Sequence, residues 1–138
     1  MLILNPGTVK FGTSTWDDVG LLAVNRKATE EVVEWTAGGP HAAFADVARQ
    51  RVEIVVRHGL SRGDLDGPRP GDRGTLFWFT SPTATDAGRR KASADAVVLS
   101  VKHEATVGKT TTREVTLLAL STDGAADPIS LSDAGSET

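Results

Sequence analysis

The chain has no cysteine, no tyrosine and a single methionine among its 138 residues. The absence of cysteine excludes disulfide frameworks, thiolate zinc sites and cysteine nucleophiles, and it fits folding in a reducing compartment. Clusters of positive charge are also missing, since the lysines and arginines are scattered and the formal net charge is −3. This charge argues against a general electrostatic attraction to nucleic acid or to anionic lipid.

Long hydrophobic runs are absent as well. No apolar run approaches the roughly 20 residues of a membrane-spanning helix, and the apolar start, Met1 to Leu4, ends at Asn5-Pro6-Gly7 without a basic segment. The sequence therefore predicts neither a signal peptide nor a membrane anchor. A length of 138 residues suits one domain with one core, so we predict a single domain over residues 1–138.

The residues that are present favour strands. Valine, threonine and glycine are frequent, which favours strands and turns over long helices. The clearest pattern covers residues 94–105 and 110–121. In the first arm Val97, Leu99 and Val101 are predicted to share one face, with polar residues on the other. The two arms predict a long β-hairpin.

Shorter strands and two possible helices complete the prediction. Alternation of apolar and polar residues predicts strands over residues 8–16, 21–28, 30–36, 51–58 and 75–80, with a polar break at 17–20. Residues 41–45 stay undecided, because the run is helical by propensity but too short for an amphipathic helix. A short helix could begin at Ser81-Pro82, since proline suits the first helical turn.

Two segments are predicted to be irregular. Residues 60–73 are polar, rich in glycine and proline, and longer than most connections in compact domains, which is typical of a functional or mobile loop. Residues 123–138 are small and acidic and contain no aromatic residue, so we expect a flexible C-terminal segment unless a partner orders it. The expected fold class is mainly β.

No group of residues suggests catalysis. The three histidines lack the short spacing of a metal-binding helix. Asp64, Asp66 and Asp72 lack the ligand positions of a calcium-binding loop, and we interpret them as solvated acids. Gly108-Lys109-Thr110 lacks the preceding glycine and the following helix of a phosphate-binding loop, and serines in glycine- and proline-rich loops are common for reasons of turn structure alone. We therefore expect no enzymatic activity, no metal and no cofactor.

The tryptophans leave two interpretations open. Trp16, Trp35 and Trp78 each lie in or beside an apolar strand, which favours burial in a core. An exposed set of tryptophans would instead form a platform on which a sugar stacks. A monomeric carbohydrate-binding module of the β-sandwich type is therefore an alternative function.

Five segments carry a resemblance to a known family. They are AGGPHAAFADV (37–47), QRVEIVV (50–56), PGD (70–72), KTTTREVTL (109–117) and STDGAADPI (121–129). In style and order these segments resemble the tail tube proteins of tailed bacteriophages, the major tail protein family. The resemblance extends over residues 30–129.

The resemblance implies a β-sandwich or small barrel with a short flanking helix, whose protomers form hexameric rings. The rings stack into a hollow tube through which the genome passes. The implied location is the virion tail, assembled in the cytoplasm of the host bacterium. The implied partners are further copies of the chain and other tail proteins, namely the tape measure, terminator, and baseplate or distal tail proteins. DNA would pass transiently and without specificity, and no membrane is involved. A ring-forming tail completion or terminator protein is a second alternative.

The resemblance also implies where copies of the chain meet. Residues 60–73 resemble the stacking loop of the family, which is expected to be mobile in the free monomer and ordered by the next ring. The residues then expected at contacts between rings or subunits are Leu60, Arg62, Asp64, Leu65, Asp66, Arg69, Asp72, Val107 and Lys109.

Overall fold

The computed structural model describes residues 2–4, 7–28, 32–35, 38–41, 44–47, 49–60, 67–80, 90–105 and 111–133. Ten strands are found among them, and all of their pairings are antiparallel. The strands are β1 (Leu2–Leu4), β2 (Gly7–Phe11), β3 (Ser14–Ala28), β4 (Val32–Trp35), β5 (Phe44–Val47), β6 (Gln50–Gly59), β7 (Arg73–Phe79), β8 (Arg90–Glu104), β9 (Thr112–Leu120) and β10 (Ser130–Asp133). These described residues contain no helix, and hence none long and apolar enough to cross a membrane. The expectation of a mainly β fold is confirmed.

Six of the strands close into a barrel. Each pairs with the next in the order β3-β2-β7-β8-β9-β6, and β6 returns to pair with β3. β1 extends the sheet along β3, and β10 pairs with the first residues of β8. Of the two expected arrangements, a sandwich or a small barrel, the structure shows the barrel. In a closed barrel, the backbone N–H and C=O groups of a strand form hydrogen bonds wherever the strand has a neighbour on both sides.

The length of β3 allows this closure, because the strand pairs with two other strands of the barrel. Its first residues pair with β2 across the turn Gly12-Thr13, where Gly12 has a φ of 60°, and residues 19–28 pair with β6. The register shifts directly after Val19, and Asp18 has a φ of 56°. The shift is a β-bulge, which bends a strand without ending it. The predicted break at residues 17–20 is therefore wrong.

Inward-facing side chains fill the barrel, with large residues opposite small ones. On β7 and β8, Trp78 lies opposite Ala92 and Leu76 lies opposite Ala94. This pairing lets wide side chains occupy the narrow interior of a small barrel. The buried core consists of Val9, Phe11, Trp16, Val19, Leu22, Val24, Val52, Ile54, Val56, Leu76, Trp78, Ala92, Ala94, Ala96, Val98, Val115, Leu117 and Ala119.

The predicted long hairpin is confirmed as β8 and β9, but the predicted face of its first arm is wrong in part. The register shifts between Val98 and Ser100. Val98 is buried in the core, whereas Val97 is only half-buried, and Val101 packs against the core from beyond the shift. An extra residue in one strand reverses the alternation that follows it. Val97 and Val101 therefore do not belong to one uninterrupted alternating face.

Residues 41–45, which the sequence leaves undecided, are described only in part. Residues 44 and 45 belong to β5, which pairs with β4 in a separate two-stranded sheet and places Phe44 opposite Trp35. The possible helix at Ser81-Pro82 lies outside the described residues. The short flanking helix implied by the resemblance is thus not found in the part of the chain that the structure describes.

Asp123 shapes the turn that follows β9. Its Oδ1 accepts hydrogen bonds from the backbone N–H groups of Ala125 and Ala126 at 2.9 and 2.8 Å. Hydrogen bonds to the charged form favour ionisation. The bond from Ala126, followed by that from Ala125, therefore holds the pKa of Asp123 below its ordinary value.

Asp127 joins the next residues to the barrel. Its Oδ1 accepts a hydrogen bond from Arg26 Nη1 at 2.9 Å and one from the backbone N–H of Ile129 at 3.0 Å. The bond from Arg26 is the main cause that lowers the pKa of Asp127. Residues 130–133 then form β10 on β8, within the segment 123–138 that is predicted to be flexible.

Candidate contact surface at one end of the barrel

Three of the residues expected at contacts between copies lie in the described part of the chain. These are Leu60, Arg69 and Asp72; the other six, Arg62, Asp64, Leu65, Asp66, Val107 and Lys109, lie outside it. Leu60 is 8% exposed, and its backbone N–H donates to the carbonyl of Thr111 at 2.9 Å. Its side chain is therefore buried beside the cleft at this end of the barrel, whereas Arg69 and Asp72 are exposed.

Residues 67–72, which we call the return segment, lead into β7 through a tight turn. Asp72 Oδ2 accepts a hydrogen bond from the backbone N–H of Arg69 at 2.9 Å, and the N–H of Asp72 donates to the Arg69 carbonyl at 3.0 Å. Gly71 has a φ of 96°, a conformation that favours glycine. Its N–H donates to the Val98 carbonyl, and the N–H of Val98 donates to the Asp72 carbonyl, both at 2.8 Å. The return segment thus continues the pairing of β7 with β8.

A buried polar cluster lies beneath the return segment. Arg113 on β9 and His58 on β6 occupy inward positions in register and are each 3% exposed. Arg113 Nε donates to His58 Nε2 at 3.1 Å. The His58 ring stacks on Trp16 of β3 with 5.5 Å between centroids and 8° between planes. Trp16 in turn stacks on Phe11 at 5.5 Å.

Gly67 lies directly against the guanidinium group of Arg113. A Cβ atom built on Gly67 would fall 2.8 Å from Arg113 Cζ and closer still to Nη1. The guanidinium cannot simply swing aside, because it is buried and its Nε is bonded to His58. Only glycine fits at residue 67 without a shift of the backbone or of Arg113.

Two clefts flank Trp16 at this end of the barrel. One has a volume of about 390 Å³ and is lined by residues 15–18, residues 58–60 and Arg113. The other has a volume of about 500 Å³ and is lined by residues 11–14, Trp16, Gly67, Pro68, Asp72 and Arg73. Asp17 and Asp18 are exposed on the rim of the first cleft. Arg69 and Arg73 are exposed on the same face, so it carries charges of both signs. We call this face, with its two clefts and the return segment, the Trp16 end.

The opposite end of the barrel carries a basic cleft. Its volume is about 770 Å³, and its lining includes Arg26, Arg49 and Arg51 together with Asp127. Arg26 pairs with Asp127 at 2.9 Å, and Arg51 Nε lies 2.8 Å from Glu53 Oε1. β6 fixes the separation of the two ends, because Arg51 lies near its start and His58 near its finish. We call this face the arginine end.

Two of the three tryptophans are buried. Trp16 and Trp78 are 4% and 2% exposed, so the burial interpretation is correct for both. The side chain of Trp35 lies outside the described residues. Trp16 and Trp78 therefore do not offer an exposed platform for a sugar.

The histidines and aspartates that the sequence analysis considered for metal binding lie only partly in the described part of the chain. Of the three histidines, His58 is buried, whereas His41 and His103 are exposed. The carboxylate of Asp72 closes the turn of the return segment. Within the described residues, no group of three or more histidine, aspartate or glutamate side chains is placed to hold a metal ion.

Sequence analysis missed the cluster of Arg113, His58 and Gly67. A signal for it was present, because Arg113 continues the inward positions 115, 117 and 119 on β9, and His58 continues 52, 54 and 56 on β6. When charged or polar residues occupy the inward positions of a strand, which are otherwise apolar, they indicate a buried and paired group. The position of Gly67 carries no comparable signal.

Comparison with known proteins supports the fold. Neither a protein-family model nor a curated protein matches the chain. A solved structure of the tail of an empty GTA particle, computed with helical refinement in C6 symmetry, matches 86% of this chain and 85% of its own. The TM-score is 0.51 and the sequence identity is 11%. At this identity the similarity shows a shared fold and no more.

Proposed function

We propose that this chain is a structural subunit of a bacteriophage tail tube, in which hexameric rings stack around a lumen that the genome passes through. The observation that carries the proposal is the match of the barrel, over 86% of the chain, to a tail with C6 symmetry. The resemblance of residues 37–47, 50–56, 70–72, 109–117 and 121–129 to tail tube proteins points to the same class.

Open strand edges support assembly into rings. Among the described strands, β1 pairs with β3 and β10 pairs with β8, each along one edge. The pairing of β8 with β7 and the return segment ends at Val98. Unpaired backbone groups at such edges are templates for strands from another chain. When different patches meet head to tail, the subunits close into a ring if the rotation allows it.

The proposed function operates through surfaces and not through a catalytic pocket. We propose no enzymatic activity and no cofactor. The partners are further copies of the chain and the tape measure, terminator and distal tail or baseplate proteins, with DNA in transient passage. The place of action is the virion tail, after assembly in the host cytoplasm. The net charge of −3 agrees with this role, because a chain without clustered positive charge has little electrostatic attraction for the phosphate backbone.

The alternatives make different predictions. A carbohydrate-binding module is disfavoured by the burial of Trp16 and Trp78. A tail completion or terminator protein would share the fold but would stop at single rings. The number of rings in an assembly therefore separates a tube subunit from a terminator.

Negative-stain electron microscopy with light scattering tests the proposal. The purified chain is examined over a wide concentration range, with the particle mass measured on the same samples. We expect hollow tubes built from six-subunit rings at high concentration. Single rings at every concentration would favour the terminator, and a monomer at every concentration would contradict the proposed function.

A further inference from the structure

We propose that β10 is a removable guard strand. In the free chain it covers the edge of β8 that a strand of another copy takes when the chains assemble. The strand comprises residues Ser130–Asp133 and pairs with residues 90–93 of β8. The inference rests on the proposed function and adds to it a step that regulates assembly.

The register shows which edge β10 covers. β7 pairs with residues 91–97 along one edge of β8, so β9 and β10 share the other edge. On that edge β9 ends opposite Asp95, and β10 begins opposite Ser93. β10 thus continues β9 in the same direction after the excursion of residues 121–129. If β10 left, none of the described strands would pair with residues 90–93 on this edge.

The side chains described for β10 contribute little to its attachment. Ser130, Leu131 and Ser132 are exposed, and none of them belongs to the buried core. Leu131 is 56% exposed even though it lies opposite Ala92, which is 1% exposed. Ser132 Oγ donates to the carbonyl of Lys91 at 3.4 Å, which is long for such a bond. Release of β10 would therefore remove none of these three side chains from the core.

The firm attachment lies just before β10. Ile129 packs against the core, and its backbone N–H donates to Asp127 Oδ1 at 3.0 Å. Asp127 in turn accepts from Arg26 Nη1 at 2.9 Å. β10 can therefore swing away at Ser130 while the preceding residues stay on the barrel. Segments held by few buried apolar contacts are the ones that open locally in a folded protein.

The two edges differ as templates for another chain. β10 is short and mostly polar, and short polar edge strands protect a sheet against pairing with other chains. The edge of β8 beneath it lies in line with β9 in the barrel sheet and would accept an added strand. Each copy also carries β1, whose sequence is apolar and which pairs with β3 along one edge among the described strands. A second copy therefore offers a short strand for the uncovered edge.

A disulfide that ties β10 to β8 tests the inference in the full-length chain. Ser93→Cys combined with Ser130→Cys places two thiols at opposed positions. Opposed residues of antiparallel strands have Cα atoms about 4.5–5.5 Å apart, which a disulfide can span. The chain has no cysteine of its own, so an oxidised monomer carries this bond alone. The controls are the same variant after reduction and the single variant Ser93→Cys.

A pair of shortened chains makes the opposite change. One ends at Ile129 and lacks β10, and the matched control ends at Asp133 and keeps it. The concentration at which assemblies appear is measured by light scattering, and their form by electron microscopy. Circular dichroism and Tm establish that each chain is folded.

The expected shifts follow from the released fraction. When only one state is competent, the apparent affinity falls by the fraction of molecules in that state, so release in about one molecule in ten raises the assembly concentration about tenfold. The chain that ends at Ile129 should then assemble at about one-tenth of the wild-type concentration. The oxidised variant should need at least about ten times the concentration of its reduced form. The chain that ends at Asp133 and Ser93→Cys should assemble like the wild type.

The outcomes separate the inference from the proposed function. If the wild type forms tubes and the oxidised variant assembles as its reduced form does, the guard role is wrong and the tube function stands. The same holds if the folded chain that ends at Ile129 no longer assembles, because β10 would then be part of the contact. If the wild type never assembles, the tube function is contradicted. The guard role survives that result only if the chain that ends at Ile129 associates.

Discussion

Substitution of Leu117 by alanine removes a side chain from the centre of the barrel and tests its closure. Leu117 on β9 is 0% exposed and lies in register with Ile54 of β6 and Val98 of β8, which are 0% and 1% exposed. Both neighbouring strands belong to the closed ring, so they cannot move inward freely to fill the space. A cavity should therefore persist in the variant.

The expected loss follows from this burial. Truncation of a buried leucine to alanine costs about 2–5 kcal/mol, and a site that cannot collapse belongs in the upper half of that range, at about 3.5–5 kcal/mol. For a domain of this size 1 kcal/mol corresponds to roughly 3–5 °C, so Tm should fall by roughly 10–25 °C.

Leu118→Ala is the matched control, because it makes the same change one residue later on the opposite face of β9. Leu118 is only half-buried, so its truncation removes less area from contact and should cost at most about 1.5 kcal/mol. Both variants are compared with the wild type by urea unfolding, followed through the fluorescence of the buried Trp16 and Trp78. The protein concentration is kept below that of assembly, since association adds apparent stability. An equal or larger loss for Leu118→Ala would refute the assignment of faces and with it the closed barrel.

Two further substitutions test local features. Asp18 has a φ of 56°, which a β-branched residue tolerates poorly. In urea unfolding, Asp18→Val should therefore lose about 1–2 kcal/mol of stability, whereas the adjacent Asp17→Val should lose less than about 0.5 kcal/mol. Equal losses would contradict the strain at the bulge. Asp127→Asn should cost less than about 1 kcal/mol at neutral pH, because Asp127 and Arg26 have half-exposed side chains. The pKa of Asp127 is lowered in the folded state, so the ionised group stabilises the fold above its unfolded pKa, and this stabilisation is lost as the pH falls through the folded pKa. The difference between wild type and Asp127→Asn should thus disappear in acid, and a difference that grows in acid would contradict this linkage.

Strand content was predictable because alternation is a local property. A strand turns successive side chains to opposite faces, so Val52, Ile54 and Val56 could be placed together from the sequence, and all three are buried. The long hairpin was predictable for the same reason. Its face was not, because the shift between Val98 and Ser100 depends on how β8 fits β9 and leaves no mark in the alternation itself.

The candidate site was predictable only as a region. Residues 60–73 stand out by composition, and Arg69 and Asp72 lie on the exposed return segment. Leu60 is buried. The expected contacts of these residues with other copies stay a prediction. The residue that positions the segment, Arg113, lies 46 residues from Gly67 along the chain, and nothing in either sequence neighbourhood indicates that they touch.

The sequence by itself determined the fold class, because strand-forming residues, period-two alternation and glycine-rich turns act over a few neighbouring positions. Tertiary structure alone decided that six strands close into a barrel, that residues 17–20 form a bulge, and that β10 returns to β8. It also decided the burial of Arg113 beside His58 and Gly67. These features depend on which strands pair and in which register, and a shift of one residue in that register would exchange the inner and outer faces.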